Sequence, residues 1–390
     1  MTEANAAHQS SAVPVAIVNL MTQGFGGQET HVLHLYKQLL LRGRDPILLV
    51  AANSPMHLRT IEAGFTCYTI PYWNVPGYYR VLSLLLPVLL AWLCKRHKIG
   101  IVHCNHRFEV RSALYVAKML DIKVILNHHV TTHLETKTLR SLHAFIAPDV
   151  NNVRYVVEEN RANGLGIKEI KMIPPLFDAD KFLSFGTELT RGTWFQKTFG
   201  ITLEPWPIIC AIGNMVPDLK HKNYPLLFKA LATLIHEKKS PIQAVLVGDG
   251  PVRPYLEGLA QDLAIQKHIH FLGFTSQHTP GVLFHSDIFV LASSREAFGI
   301  VFLEAALMRK PSIGARGTGA ETIIIDKETG LLFENGSADS LAAVIQALVS
   351  DSLWAKELGD RAYNHVSKHF VPSRVVEQYE GLYTSLSSSL

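Results

Sequence analysis

Two carboxylates eight positions apart, Glu296 and Glu304, bracket the run Ala297-Phe298-Gly299-Ile300-Val301-Phe302-Leu303. On a continuous helix, at about 100° per residue, they would stand roughly 80° and two turns apart, too far for one acid/base dyad. They can instead hold two parts of an elongated ligand, since a carboxylate readily accepts from the hydroxyls of a vicinal diol. Between them, the small residues Ala297 and Gly299 let a ligand approach the backbone closely. A helix beginning near Phe298 and running on to Lys310 would offer unpaired N–H groups and a positive dipole end to phosphate at its N-terminus. The spacing suits a sugar at one end, a ribose at the other and phosphate between. The plain alternative is a capping Glu296 and a solvated Glu304.

Three further groups are candidates. Lys220 and Lys222 lie in the polar stretch after Gly213-Asn214. Such a Lys-x-Lys is commonly just solvated, but beside a phosphate each lysine is a usable point charge. His128 and His129 end an apolar run and would point to opposite faces of a regular strand. Histidine is scattered through the chain, so position rather than residue type singles these two out. Gly24-Phe25-Gly26-Gly27-Gln28-Glu29 begins like a dinucleotide fingerprint, but Glu29 stands where the third glycine belongs. The alternative there is a tight turn.

The elements that would position these groups alternate. Buried-type strand runs at Pro14–Leu20, Ile47–Ala51, Ile99–Cys104, Lys123–His129 and Phe145–Ala147 are separated by helical stripes such as Thr30–Arg42 and Val110–Leu120. The pattern restarts with strands at Pro207–Ile212, Gln243–Val247, His268–Gly273 and Ile288–Ala292, with a helix over Tyr224–His236. Two βα series predict two Rossmann-like halves, and strand C-terminal ends are where such sheets bind ligands. At 390 residues the chain exceeds one ordinary core. The expected division is a flexible 1–12, a first domain over 13–184, a linker over 185–206, a second domain over 207–371 and a last helix in 372–390.

Composition excludes other classes. With 48% hydrophobic and 18% charged residues the chain is globular, and a net charge of +4 argues against nucleic-acid binding. Cys67, Cys94, Cys104 and Cys210 lack metal-ligand spacing and read as free thiols of a reducing compartment. Met1 to Ala12 shows no signal-peptide pattern, so a cytoplasmic location is expected. The uncharged run Val81–Cys94 falls short of the roughly 20 residues that span a bilayer, and Pro87 interrupts it. It reads as a buried helix. Its rival is a membrane-surface helix, because Trp92 precedes Lys95-Arg96-His97-Lys98, which would place the protein at the inner face of the membrane.

The run Ser293-Ser294-Arg295-Glu296-Ala297-Phe298-Gly299-Ile300-Val301-Phe302-Leu303-Glu304-Ala305 resembles the Glu-x7-Glu signature of the large family of retaining GT-B glycosyltransferases (group 1, family 4 type). That resemblance implies two Rossmann-like domains facing each other across a cleft, with the last helix packing back on the first domain. It implies a retaining, metal-independent hexosyltransferase using a UDP- or GDP-type sugar as co-substrate, with no other cofactor. The acceptor would be a glycan or a lipid-linked molecule. By resemblance, Glu296 meets hydroxyls of the transferred sugar and Glu304 the ribose. The amides of Ala297, Phe298, Gly299 and Ile300 meet the diphosphate. Ala297 stands where glycine is frequent. Lys222 is the first match to the family's diphosphate-binding lysine and Lys220 the second. Asn214 replaces its usual arginine, which implies either weaker catalysis or a substitute cation such as Arg295 or Arg253. His129, or else His128, matches a histidine near the sugar. Gly26 and Gly27 match the glycine loop, and backbone beside Phe274 the base-reading position. Pro174-Pro175-Leu176 departs from the usual Pro-Asn-Gly. Asp178 and Asp180 form an Asp-x-Asp in letters only. Two rivals follow: a nucleotide-sugar-binding protein without turnover, suggested by Asn214 and Pro175, and a GT-B nucleotide-sugar epimerase.

Overall fold

The computed structural model describes residues 13–20, 27–71, 78–129, 134, 136–148 and 150–388, of 78–83 the backbone alone. Thirteen strands among them form two parallel sheets. In chain order they are β1 (Val15–Asn19), β2 (Ile47–Ala51), β3 (Tyr68–Ile70), β4 (Ile101–Cys104), β5 (Lys123–Asn127), β6 (Ala144–Ala147) and β7 (Glu169–Met172). Then come β8 (Ile208–Ile212), β9 (Gln243–Val247), β10 (Ile269–Gly273), β11 (Ile288–Leu291), β12 (Ser312–Ala315) and β13 (Gly330–Phe333). The first sheet runs β3-β2-β1-β4-β5-β6-β7 and the second β10-β9-β8-β11-β12-β13. Strands covered on both faces by helices must be apolar throughout, and β1, β5, β6 and β9 are buried at every position. The mixed sequence of β7, Glu-Ile-Lys-Met, suits an edge, where it lies. Strand order reverses between β1 and β4 and between β8 and β11. At such reversals the following turns diverge and leave a ligand crevice at the strands' carboxyl ends.

The chain divides into two compact units, one ending at Phe177 and taking in the residues from Pro372 on, the other Asp178–Val371. The helix Pro372–Ser387 lies beside the helix Gly27–Leu41, burying Val375, Val376, Tyr379, Leu382, Tyr383 and Leu386. Arg42 and Arg44 meet Glu380 at 3.0 and 3.3 Å.

The stretch 185–206, expected as a linker with some helix, contains the helix Arg191–Phe199 and is grouped with the second unit, with Trp194 and Phe195 buried. The Trp194 indole lies against Gly281 so closely that a Cβ there would come within 2.1 Å. The longest described helices are Tyr78–His97 in the first unit and Ser352–His369 in the second. In the first of them Leu86, Leu90, Leu93 and Cys94 are buried, while Leu84, Val88 and Trp92 are exposed by 74%, 70% and 46%. The buried helix expected there is buried on one face only. No helix among the described residues is long and apolar enough to cross a membrane.

Candidate functional site

The turn after β11 and the turn after β8 meet at the switch point of the second sheet. Lys222 Nζ donates to Glu296 Oε2 at 2.9 Å, and both side chains are largely shielded. The lysine stem crosses Gly213, where a Cβ would stand 2.9 Å from its Cγ and Cδ. The Glu296 stem folds over Gly299, whose φ of +85° would strain any other residue. Gly299 is the N-cap of the helix Ile300–Leu307, and no side chain caps that end. Its first-turn amides therefore have no side-chain acceptor, which suits an anionic ligand. The helix begins at Ile300 rather than near Phe298 and ends at Leu307 rather than Lys310. Ala297 and Phe298 belong to the turn, and Phe298 is buried.

The turn is strapped on several sides. The Gly319 N–H donates to the Glu296 carbonyl at 2.7 Å and the Ser294 N–H to the Lys220 carbonyl at 3.1 Å. Asn223 Nδ2 donates to Ser294 Oγ, and Asn335 Nδ2 to the Ser294 carbonyl, both at 2.9 Å. Gly319 lies so near the turn that a Cβ would come within 2.0 Å of the Ala297 oxygen. The Gly319→Ala variant is expected to lose about 1–3 kcal/mol of stability by overpacking and to displace Glu296. Thermal denaturation without ligand checks this, and an unchanged Tm would show that the turn adapts freely.

Glu304 lies within the same helix. Burial pushes its carboxyl up to about 7, Lys181 opposing the shift and Asp178 adding to it. The short helix Ala179–Leu183, capped by Asp178 accepting from the Lys181 N–H at 3.3 Å, packs against it. Asp178 thus has a structural use as the cap of that helix.

Asn214 and Lys220 are exposed near the turn, and Phe274 is 75% exposed just past β10. Of the two lysines, the structure brings only Lys222 to Glu296. The expected substitute cations are already engaged. Arg295 pairs with Asp218 at 2.6 Å, and Arg253 with Glu257 at 2.8 Å and Asp249 at 3.3 Å. Neither is a free replacement for the missing arginine. Gly27 is the first residue of its helix, while Gly26 lies outside the described residues.

The histidines belong to the first unit. The His128 ring packs against Phe145 of that unit's core, whereas His129 stands 4.9 Å from the ring of His31 on the other face. His129 Nε2 is buried and has no hydrogen-bond partner among the described residues. Burial lowers the His129 imidazole to about 3, with His106, His103 and His128 adding to the shift, so it is neutral at physiological pH. Around it lies a polar cluster that the sequence did not reveal. His31 Nδ1 accepts from the Leu176 N–H at 2.8 Å, Asn127 Nδ2 donates to Tyr379 Oη at 2.8 Å, and His103 Nδ1 lies 2.8 Å from Tyr383 Oη. Glu109 was also missed. Its carboxylate accepts from the N–H groups of Leu20, Asn105 and His106 at 2.7, 2.9 and 3.1 Å and so ties the ends of β1 and β4 together. Burial pushes it up to about 8 against the pull of those donors. The one signal for it was an acid three residues after a helix-capping position.

Residues 25–181 match the family Glycosyltransferase Family 4, and residues 203–365 match Glycosyl transferases group 1, together most of the chain. The N-acetyl-alpha-D-glucosaminyl L-malate synthase of Bacillus anthracis is 27% identical over 377 residues, covering 92% of this chain and 93% of that protein. A glycosyltransferase structure from Rickettsia africae superposes with a TM-score of 0.80 at 20% identity, over 96% of this chain and 98% of that one. An Anabaena protein solved with UDP superposes with a TM-score of 0.76 at 18% identity, over 96% and 100%.

Proposed function

Because the chain belongs to the glycosyltransferases of the GT-B fold, we propose that it moves a sugar from a nucleotide-diphosphate donor to a glycan or lipid-linked acceptor, with retention and without a bound metal. The observation that carries this reading is the Lys222–Glu296 pair beside the uncapped end of the helix Ile300–Leu307. Lys222 and the amides at Ala297–Ile300 offset the charge growing on the departing diphosphate, a role that a divalent cation fills elsewhere. Glu296 accepts from hydroxyls of the transferred sugar, and Glu304 accepts from the ribose diol. In the first unit, neutral His129, whose Nε2 has no hydrogen-bond partner among the described residues, can hold a hydroxyl group. The bond from the anomeric carbon to the diphosphate oxygen breaks while the bond to the acceptor oxygen forms on the same face. The acceptor's proton passes to the leaving phosphate. With Asn214 in place of arginine, the leaving group meets one cation fewer.

A thermal-shift screen over UDP- and GDP-sugars tests the donor. A ligand at about 100 times its dissociation constant adds about 2.7 kcal/mol. The anomeric configuration of the transferred sugar, determined by NMR in the presence of EDTA, tests the rest, and an inverted product rejects the mechanism. L-Malate joins the acceptor panel because the Bacillus anthracis relative is named for it.

The same proposal includes a peripheral contact with an anionic bilayer through the exposed face of the helix Tyr78–His97. Leu84, Val88 and Trp92 lie open there, and Arg96 stands 5.2 Å over the Trp92 ring. Apolar residues beside a cation suit the headgroup boundary. Co-sedimentation with phosphatidylglycerol vesicles is expected for the wild type, with loss in Val88→Glu and at high salt. Equal recovery in the supernatant for both proteins removes this contact from the proposal.

A further inference from the structure

The second sheet has another opening, at the amino ends of β8, β11 and β12, the edge opposite the turns just described. A cavity of about 610 Å³ lies there, bounded by Pro207, Ile288 and Pro311 at the strand starts. That is the size of a small-molecule site. Its wall combines apolar and aromatic groups with cations. Trp206, Phe284, Met308 and Leu348 line it, and the Trp206 ring is stacked on His268 with centroids 5.0 Å apart.

The charges at this cavity are not balanced. Asp287 already accepts from Arg191 at 2.6 Å and from the Ile208 N–H at 2.8 Å, and Asp360 pairs with Arg309 at 2.7 Å. Lys310 and Lys356 also line the cavity, and neither forms an ion pair with a described carboxylate. Lys310 is half-buried, and burial lowers its ammonium from the usual lysine range. Nearby, His285 is 6% exposed, and its Nε2 is buried without a hydrogen-bond partner among the described residues. Two unneutralised ammonium groups beside an aromatic and aliphatic wall form a site for a ligand with a matching division. We propose that this cavity binds an organic phosphate with an aromatic or apolar body, separately from the nucleotide sugar. Its phosphoryl group meets Lys310 and Lys356, and its body rests on Trp206, Phe284 and Leu348. A phosphate accepts charge-assisted hydrogen bonds from both lysines, and the apolar body removes the cavity wall from water.

The probe is 1-naphthyl phosphate, titrated calorimetrically into the full chain with UDP and GDP in excess, so that the nucleotide site is filled. Saturable binding of one equivalent is expected for the wild type, and 1-naphthol should bind about tenfold more weakly or worse. Lys356→Glu, on the exposed first turn of the helix Ser352–His369, should weaken binding by about tenfold or more without disturbing the fold. Val349→Trp, at the partly exposed wall of the cavity, should remove binding, while Lys222→Met should leave it unchanged. Absence of binding to the wild type at millimolar probe would overturn the proposal. So would wild-type affinity in the Lys356→Glu protein, or a loss of affinity in Lys222→Met.

Discussion

Replacement of Lys222 by methionine is expected to lower kcat for sugar transfer by about 10²–10³-fold, the usual effect of removing one preorganised group that faces developing charge. KM for the donor should change much less, because the diphosphate gains its extra charge only as the bond breaks. Methionine keeps an unbranched stem against Gly213, so packing survives while the ammonium at 2.9 Å from Glu296 is lost. The variant therefore also leaves the Glu296 carboxylate without its partner. A double-mutant cycle with Glu296→Gln separates the two effects. If Lys222 acts only by orienting Glu296, the double variant is no worse than Glu296→Gln. If it also meets the diphosphate, the double variant is slower still. The exposed Lys220 provides the contrast, since the described contacts use its backbone carbonyl, as acceptor from Ser294, and its N–H, bonded to Asp218. Lys220→Met should lose less than tenfold, as expected of a solvated charge. A wild-type kcat in Lys222→Met would remove the lysine from the mechanism.

The difference between these two lysines shows what a sequence can and cannot carry. Strands buried on both faces are written as unbroken apolar runs, so β1, β5, β8, β9 and β11 were legible at nearly their observed bounds. The turn between Glu296 and Glu304 was legible because its small residues and flanking acids are local in sequence. The resemblance ranked Lys222 before Lys220, but the contact that separates them, the Lys222 stem passing over Gly213 nine positions earlier, is not local in sequence. The start of the signature helix was misplaced because Gly299 caps it at φ +85°, and nothing in the residue types says which residue of a small-residue turn adopts that conformation. The polar local pattern of 185–206 suggests a linker with some helix, without the bounds or the packing of the helix Arg191–Phe199. What holds it is Trp194 seated on Gly281, a match of shapes far apart in the chain. Glu109, His31 and Tyr379 act only through partners brought from other elements, and so left no local signature. The pairing of Arg295 with Asp218 was not visible for the same reason.

Glu304→Gln is expected to stabilise the ligand-free protein at alkaline pH while weakening its hold on the donor. Burial raises the folded-state value of this carboxyl to about 7 from an ordinary 4.5, so the folded state holds the proton more tightly than the unfolded chain. The resulting stability is complete below the unfolded value and is lost as pH rises through about 7. Glutamine stays neutral, so the variant should match the wild type near pH 4 and exceed it by about 3 kcal/mol at pH 8. Glu109 shifts in the same direction, and the buried His103 and His129 in the opposite one, but all are common to both proteins and cancel in the difference curve. A diol donates to an ionised carboxylate more strongly than to a neutral amide. Nucleotide-diphosphate affinity should therefore rise through about pH 7 in the wild type. It should lack that rise in the variant and be roughly 10–100-fold weaker at pH 8. Thermal melts from pH 4 to 9, paired with titrations of the nucleotide, check both halves. Superimposable stability curves would mean that Glu304 is ionised in water-like surroundings. A stabilised variant that binds the donor normally would leave the buried carboxylate a cost to the fold with no ribose to justify it.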